Sequence, residues 1–137
     1  MKPMSRPVTG AAVIALLATA LIHFVEAPDA FSEATYKGVL FVANGIGAMV
    51  AAVGILRGAW SWGWVLGLLM AGGAIAGYVA SRTVGLPGIP AEPDAWLEPW
   101  GVASLLAEGL FVILFAAAYR ARARPLATAA PFGRQNP

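Results

Sequence analysis

Residues 38–56 read GVLFVANGIGAMVAAVGIL, a run with no charged side chain and one amide, Asn44. A bilayer core of about 30 Å is crossed by roughly 20 mainly apolar residues in a helix, and this run has that length. Three similar stretches flank it, at about 8–25, 60–80 and 100–119. Inside a bilayer every backbone polar group must be paired within its own segment, which a helix achieves and an open sheet does not. Strand-like alternation is absent, and the stretches are rich in Ala, Leu and Gly. The expected fold is all-α: a polytopic membrane protein with a four-helix transmembrane bundle over residues 1–120, followed by a basic, disordered tail over 121–137.

The composition agrees. Only 12% of the 137 residues are charged against 59% apolar, and mean hydropathy is +0.73. A soluble domain carries about 25% charged residues. The absence of cysteine excludes a disulfide scaffold, a thiol nucleophile and any thiolate-held zinc or iron–sulfur centre. A single histidine leaves little scope for a His-rich metal centre. There is no Gly-rich phosphate loop, no zinc motif and no Ser–His–Asp set in a suitable context. The basic residues are dispersed, so there is no nucleic-acid signature.

Charge sets the expected orientation. With the N-terminus in the cytoplasm, that side holds Lys2, Arg6, Arg57, Arg120, Arg122, Arg124 and Arg134, and the other side only Lys37 and Arg82. The acids Glu26, Asp29, Glu33, Glu92, Asp94 and Glu98 fall on the outer side. This positive-inside bias places both termini in the cytoplasm of a plasma-membrane protein. Trp60, Trp62 and Trp64 then mark the inner interface, and Trp96 and Trp100 the outer one. The first apolar run is read as a retained span rather than a cleaved leader, because cleavage after Ala27 would place Pro28 beside the cut.

Pro28 is expected to end the first helix and open a short acidic connection, residues 27–36. A tight inner turn at Arg57–Gly58 makes the second and third helices antiparallel neighbours. Between Ser81 and Pro99, four prolines (Pro87, Pro90, Pro93 and Pro99) predict a stiff loop. Small residues in the second span (Gly45, Gly47, Ala48, Ala51, Ala52, Gly54) and the third (Gly67, Ala71, Gly72, Gly73, Ala74, Gly77) allow close backbone approach. They suit either packing between these two helices or a homodimer seam.

Polar side chains within a span are costly and mark candidate sites. They are His23 and Glu26 in the first span, Asn44 in the second, Tyr78 with Arg82 in the third, and Ser104 with Glu108 in the fourth. At 1.5 Å per residue, His23 lies about 5 Å below the outer surface, Tyr78 about 6 Å, Asn44 about 10 Å and Glu108 about 12–15 Å. The inner halves are nearly pure Ala, Leu, Val, Ile and Gly. His23 and Glu26 share a helix face, as do Gly101, Ser104 and Glu108. Turned inward, these faces form a polar pocket open to the outside and floored by apolar helix. Glu108 is too deep to reach the interface; it requires Arg82, His23, Asn44 or Tyr78 as a partner, or a proton.

The third span closes with SRTVGLPG, Ser81-Arg82-Thr83-Val84-Gly85-Leu86-Pro87-Gly88, followed by Glu98-Pro99-Trp100-Gly101 and Ser104-Leu105-Leu106-Ala107-Glu108. The first span ends Ile22-His23-Phe24-Val25-Glu26-Ala27-Pro28, and Tyr36-Lys37-Gly38-Val39-Leu40-Phe41 opens the second. Over about residues 10–118 the chain resembles a family of small four-helix integral membrane proteins encoded in actinobacteria. The resemblance implies the fold and the choice of residues; that family has no established activity to carry over. Gly85 and Gly88 around Pro87 predict a tight turn, with Arg82 folded over the pocket or paired with Glu98 or Glu108.

The expected function is non-enzymatic: a subunit or binding protein using the outer pocket and the Ser81–Gly88 loop. Its partners are the lipid bilayer and a second copy or a larger membrane complex. A dimeric proton or cation transporter working through Glu108 is the alternative, although the inner half offers no polar path. A metal or haem site at His23, with Glu26 and Glu108, is the third reading, since one imidazole and two carboxylates suit a first-row metal.

Overall fold

The computed structural model describes residues 6–123. Four helices, α1 (Arg6–Glu33), α2 (Thr35–Leu56), α3 (Val65–Thr83) and α4 (Pro99–Ala123), form an antiparallel bundle, with a single π turn, Trp60–Trp64, leading into α3. All four segments, counting the π turn with α3, are long and apolar enough to cross a membrane. Each helix packs on its neighbours in chain order and α1 also packs on α4, which closes the ring; α1 and α3 lie across it. Many large apolar side chains face outward, among them Ile14, Leu17, Leu21, Leu56, Leu106 and Ile113. Apolar surface on this scale suits lipid rather than water.

α1 corrects the expected boundary. It runs through Pro28 to Glu33, about 42 Å at 1.5 Å per residue, and residues 27–36 are helical except at Ala34. Ala34 alone breaks the chain, with extended backbone (φ −159°, ψ 138°), and α2 starts at once. Proline deletes one backbone donor and crowds the carbonyl four residues back, yet packing outweighs that cost here. Ala27 and Ala30 are buried. The Phe31 ring occupies the space a side chain at Gly38 would need, and Phe24 does the same at Gly45. The glycines of α2 thus receive aromatic rings from α1.

The end where α1 begins and α4 finishes, the proximal end, is solidly filled. Ala12, Ala15, Leu16, Ala48, Ala51 and Ala71 let the backbones close, and Trp64 and Phe111 fill what remains. Gly63 and Gly54 bring α2 and the π turn together so closely that a Cβ on Gly63 would lie 2.6 Å from the Ile55 nitrogen. Gly58, with φ +73°, makes the preceding turn. Trp64 is therefore a core residue and not part of an interfacial belt. Its ring stacks on Phe111 at 5.8 Å, while Trp60 stacks on Trp64 and Phe115. Trp62 stays exposed. α4 extends to Ala123, so residues 121–123 are helical rather than tail, and Arg122 lies 4.5 Å over the Trp60 ring. The rest of the expected tail, and Lys2, fall outside the described residues.

At the distal end, residues 84–98 form the expected ordered loop. Leu86 and Ile89 exchange both backbone hydrogen bonds around Pro87-Gly88, with φ +75° at Gly88, the positions a type II turn assigns to proline and glycine. The Glu92 N–H bonds the Ser81 carbonyl at 2.9 Å and ties the loop to α3. Glu98 caps α4, its two oxygens accepting from the Trp100 and Gly101 N–H groups. A carboxylate at a helix N-terminus also meets the positive end of the helix dipole.

Candidate functional site

Packing is incomplete in the distal half. A Cβ on Gly72, Gly73 or Gly77 of α3 would meet nothing within 4 Å. Between the helices lies a cavity of about 870 Å³. His23, Glu26, Asn44 and Tyr78 line it, and so do Arg82, Ser104 and Glu108. The structure thus brings all seven sequence-selected residues to one space. Apolar walls come from Ile22, Leu40, Phe41, Leu69 and Met70. One turn past Glu108, the fully buried Phe111 ring lies where a Gly67 side chain would be, within the filled half of the bundle.

Helix rise sets the depth of each group. Gly101 lies against the Tyr78 ring. Glu108, seven residues further along α4, is about 10 Å deeper. Met70, eight residues back along α3, is about 12 Å deeper, and its carbonyl accepts the Asn44 amide at 2.9 Å. The His23 ring lies 5.0 Å from Phe41, about 5 Å along α2 from Asn44. Asn44 and Glu108 therefore lie at similar depth near the bottom of the cavity, with His23 about 5 Å above Asn44.

Glu108 is 1% exposed and accepts a 2.6 Å hydrogen bond from Ser104 Oγ, one turn back on its own helix. It pairs with none of Arg82, His23, Asn44 or Tyr78. Arg82 is also placed differently from either expected pairing: it bonds Glu92 at 2.7 Å and lies 4.8 Å over the Tyr78 ring. The loop carries Glu92 to the mouth while Glu98 is held by its cap. Tyr78 donates to the Trp96 carbonyl at 2.8 Å. His23 Nδ1 lies 2.9 Å from the Thr19 carbonyl. A carbonyl only accepts, so that nitrogen carries the proton and Nε2 of the neutral ring is an acceptor. Asn44 is oriented by the same logic: its amide nitrogen faces Met70 O, and its oxygen is buried without a partner.

Glu26 is partly buried at the mouth, with Glu98, Asp29, Glu33 and Lys37 as charged neighbours. In the SRTVGLPG run, Ser81 and Thr83 hydroxyls bond carbonyls of their own helix. Thr83 and Gly88 are exposed, whereas Ser81, Arg82, Leu86 and Pro87 line the cavity. A strap missed from sequence crosses the mouth: the Tyr36 hydroxyl, on α2, donates to the Pro87 carbonyl at 2.7 Å. Nothing local signals that contact, since the partners are 51 residues apart. Glu92 was legible only as an acid between two prolines. Among the described residues, no three His, Cys, Asp or Glu side chains stand close enough to hold a metal ion. His23, Glu26 and Glu108 share the cavity without forming the ligand set the third reading requires.

Fold and cavity define a class: a small helical bundle of membrane-crossing length, filled in one half and hollow in the other. No family model matches the chain, and neither a curated protein nor a solved structure matches it.

Proposed function

We propose that this chain is a non-enzymatic binding protein of the plasma membrane, with both termini cytoplasmic and a cavity that takes up a small amphipathic molecule from the outer side. The observation that carries this reading is the cavity itself: polar groups from all four helices line one space within apolar walls, and the opposite half of the bundle is filled. Ligand sites are typically concave, mostly apolar, and equipped with a few convergent polar groups. The positive-inside charge pattern supports the orientation. The SRTVGLPG loop, strapped by Tyr36, edges the entrance. Transport through Glu108 draws on the same carboxylate but needs a route past Phe111 and Trp64, where aromatic rings occupy the space.

Gly77 provides the test. It lines the cavity and has open space at its Cβ position, so Gly77→Leu projects an apolar side chain into the site from a position where its first carbon meets no neighbour. A panel of amphipathic compounds is screened by thermal shift on detergent-purified protein. At least one compound is expected to raise the melting temperature of the wild type and leave Gly77→Leu unmoved. A panel that moves neither protein, or both alike, rejects the reading.

A further inference from the structure

The cavity has an unequal supply of donors and acceptors. Its donors are largely spent within the protein: His23 Nδ1 on Thr19, the Asn44 amide on Met70, Ser104 on Glu108, Tyr78 on Trp96, and Tyr36 on Pro87. Acceptors remain. His23 Nε2 has no hydrogen-bond partner among the described residues, although the residue is 6% exposed. The Asn44 oxygen is buried and unpartnered. Glu108 takes one hydrogen bond, from a neutral hydroxyl, and has no cation beside it. Asn44 and Glu108 lie near the bottom of the cavity, with His23 about 5 Å above Asn44.

Charge has the same bias. Glu26, Asp29, Glu33, Glu92, Glu98 and Glu108 line the cavity against two cations, Lys37 and Arg82. Both cations are already paired, with Glu33 and Glu92. Among the buried side-chain atoms without a partner, Arg82 Nε is a donor and the Thr19 hydroxyl can donate or accept. Arg82 is twelve residues, about 18 Å, along α3 from the Met70 level, and Thr19 is not among the cavity-lining residues. Phe41, 5.0 Å from the His23 ring, adds an aromatic ring to the lining near these acceptors, and such rings attract organic cations through their faces.

Resting on the binding reading above, we infer that the ligand is a small amphipathic organic cation, an ammonium or amidinium head on an apolar body. The head donates to His23 Nε2, the Asn44 oxygen and the Glu108 carboxylate, and supplies the countercharge that Glu108 lacks. An alcohol satisfies fewer acceptors and brings no charge. A carboxylate repels Glu108 and brings further acceptors to a site already full of them. The apolar body lies against Leu40, Leu69 and Met70.

The test uses three probes of matched shape, 4-phenylbutylammonium, 4-phenylbutanol and 4-phenylbutyrate, titrated into protein in an uncharged detergent and followed by tryptophan fluorescence and calorimetry. The ammonium probe is expected to bind at least tenfold more tightly than the other two. It should lose at least tenfold in Glu108→Gln and in His23→Phe, and lose binding in Gly77→Leu. Circular dichroism and gel filtration verify folding, and His23→Phe carries the test if Glu108→Gln does not fold. Equal binding of ammonium and alcohol, tighter binding of the carboxylate, or an ammonium affinity unchanged in the folded variants overturns the inference. If the alcohol or carboxylate binds and is lost in Gly77→Leu, the cavity reading survives and only the head chemistry fails. If none of the three binds, the inference fails; the thermal-shift panel then decides the cavity reading separately.

Discussion

Gly85 shows how much one residue decides at the cavity mouth. Its φ is +84°, and an added Cβ would lie 2.6 Å from the Ile89 carbonyl and 2.9 Å from the Ala91 nitrogen. A left-handed conformation costs an ordinary residue about 1–2 kcal/mol, and crowding against fixed backbone raises that. Gly85→Ala is expected to lose more than about 2 kcal/mol in chemical unfolding, by strain and overpacking together. Gly88→Ala is the internal control: its φ is +75° but the surroundings are open, so it should lose only the conformational part. Equal losses would show that the crowding at Gly85 relaxes freely. The two glycines were visible in the sequence as turn-formers, because a positive φ leaves a residue-level trace. The pairing of Ser104 with Glu108 was half visible for a similar reason, since four-residue spacing on a helix puts both on one face. The partner of Arg82 was not visible. It depends on the path of fifteen loop residues, and nothing at position 82 records that path.

At the scale of elements, the hydropathy runs located all four helices, while their ends followed rules that hydropathy does not contain. Pro28 is the clearest case. As a local signal it stops a helix; in the structure α1 continues for another five residues because Ala27, Ala30 and Phe31 are held against α2. The helix thus carries an unmet cost: the Phe24 carbonyl lacks the backbone donor that residue 28 would supply. Pro28→Ala restores that donor. It is expected to stabilise the folded protein by about 1–3 kcal/mol, read as a shift of the unfolding midpoint in denaturant. A destabilised Pro28→Ala would mean instead that a proline-induced bend is what seats Phe31 on Gly38. The π turn at Trp60–Trp64 was hidden for a related reason. Three tryptophans in five residues resemble an interfacial belt by composition, and only the nearness of Phe111 and Phe115 turns Trp60 and Trp64 inward.

For the whole molecule, the asymmetry between a filled proximal half and a hollow distal half gives orientation its meaning. The cavity-lining polar residues His23, Glu26, Asn44, Tyr78, Arg82, Ser104 and Glu108 all lie toward one end, so the side that end faces decides which solution the cavity samples. Arg57 and the arginines that close α4 lie at the proximal end, whereas the distal end is mainly acidic. Basic residues are retained on the cytoplasmic side of a membrane, so the cavity should open outward. The sequence contains no cysteine, so a single introduced thiol reports its side without background. Leu97 is 87% exposed in the distal loop, and Ser61 is exposed in the π turn at the opposite end. In intact cells a membrane-impermeant maleimide is expected to label Leu97→Cys, while Ser61→Cys reacts only after permeabilisation. The reverse pattern would turn the cavity to the cytoplasm and change the pool of cations it meets, leaving the donor and acceptor imbalance inside it unchanged. Labelling of both thiols in intact cells would remove the membrane barrier between the two ends, and with it the reading of the four helices as spans.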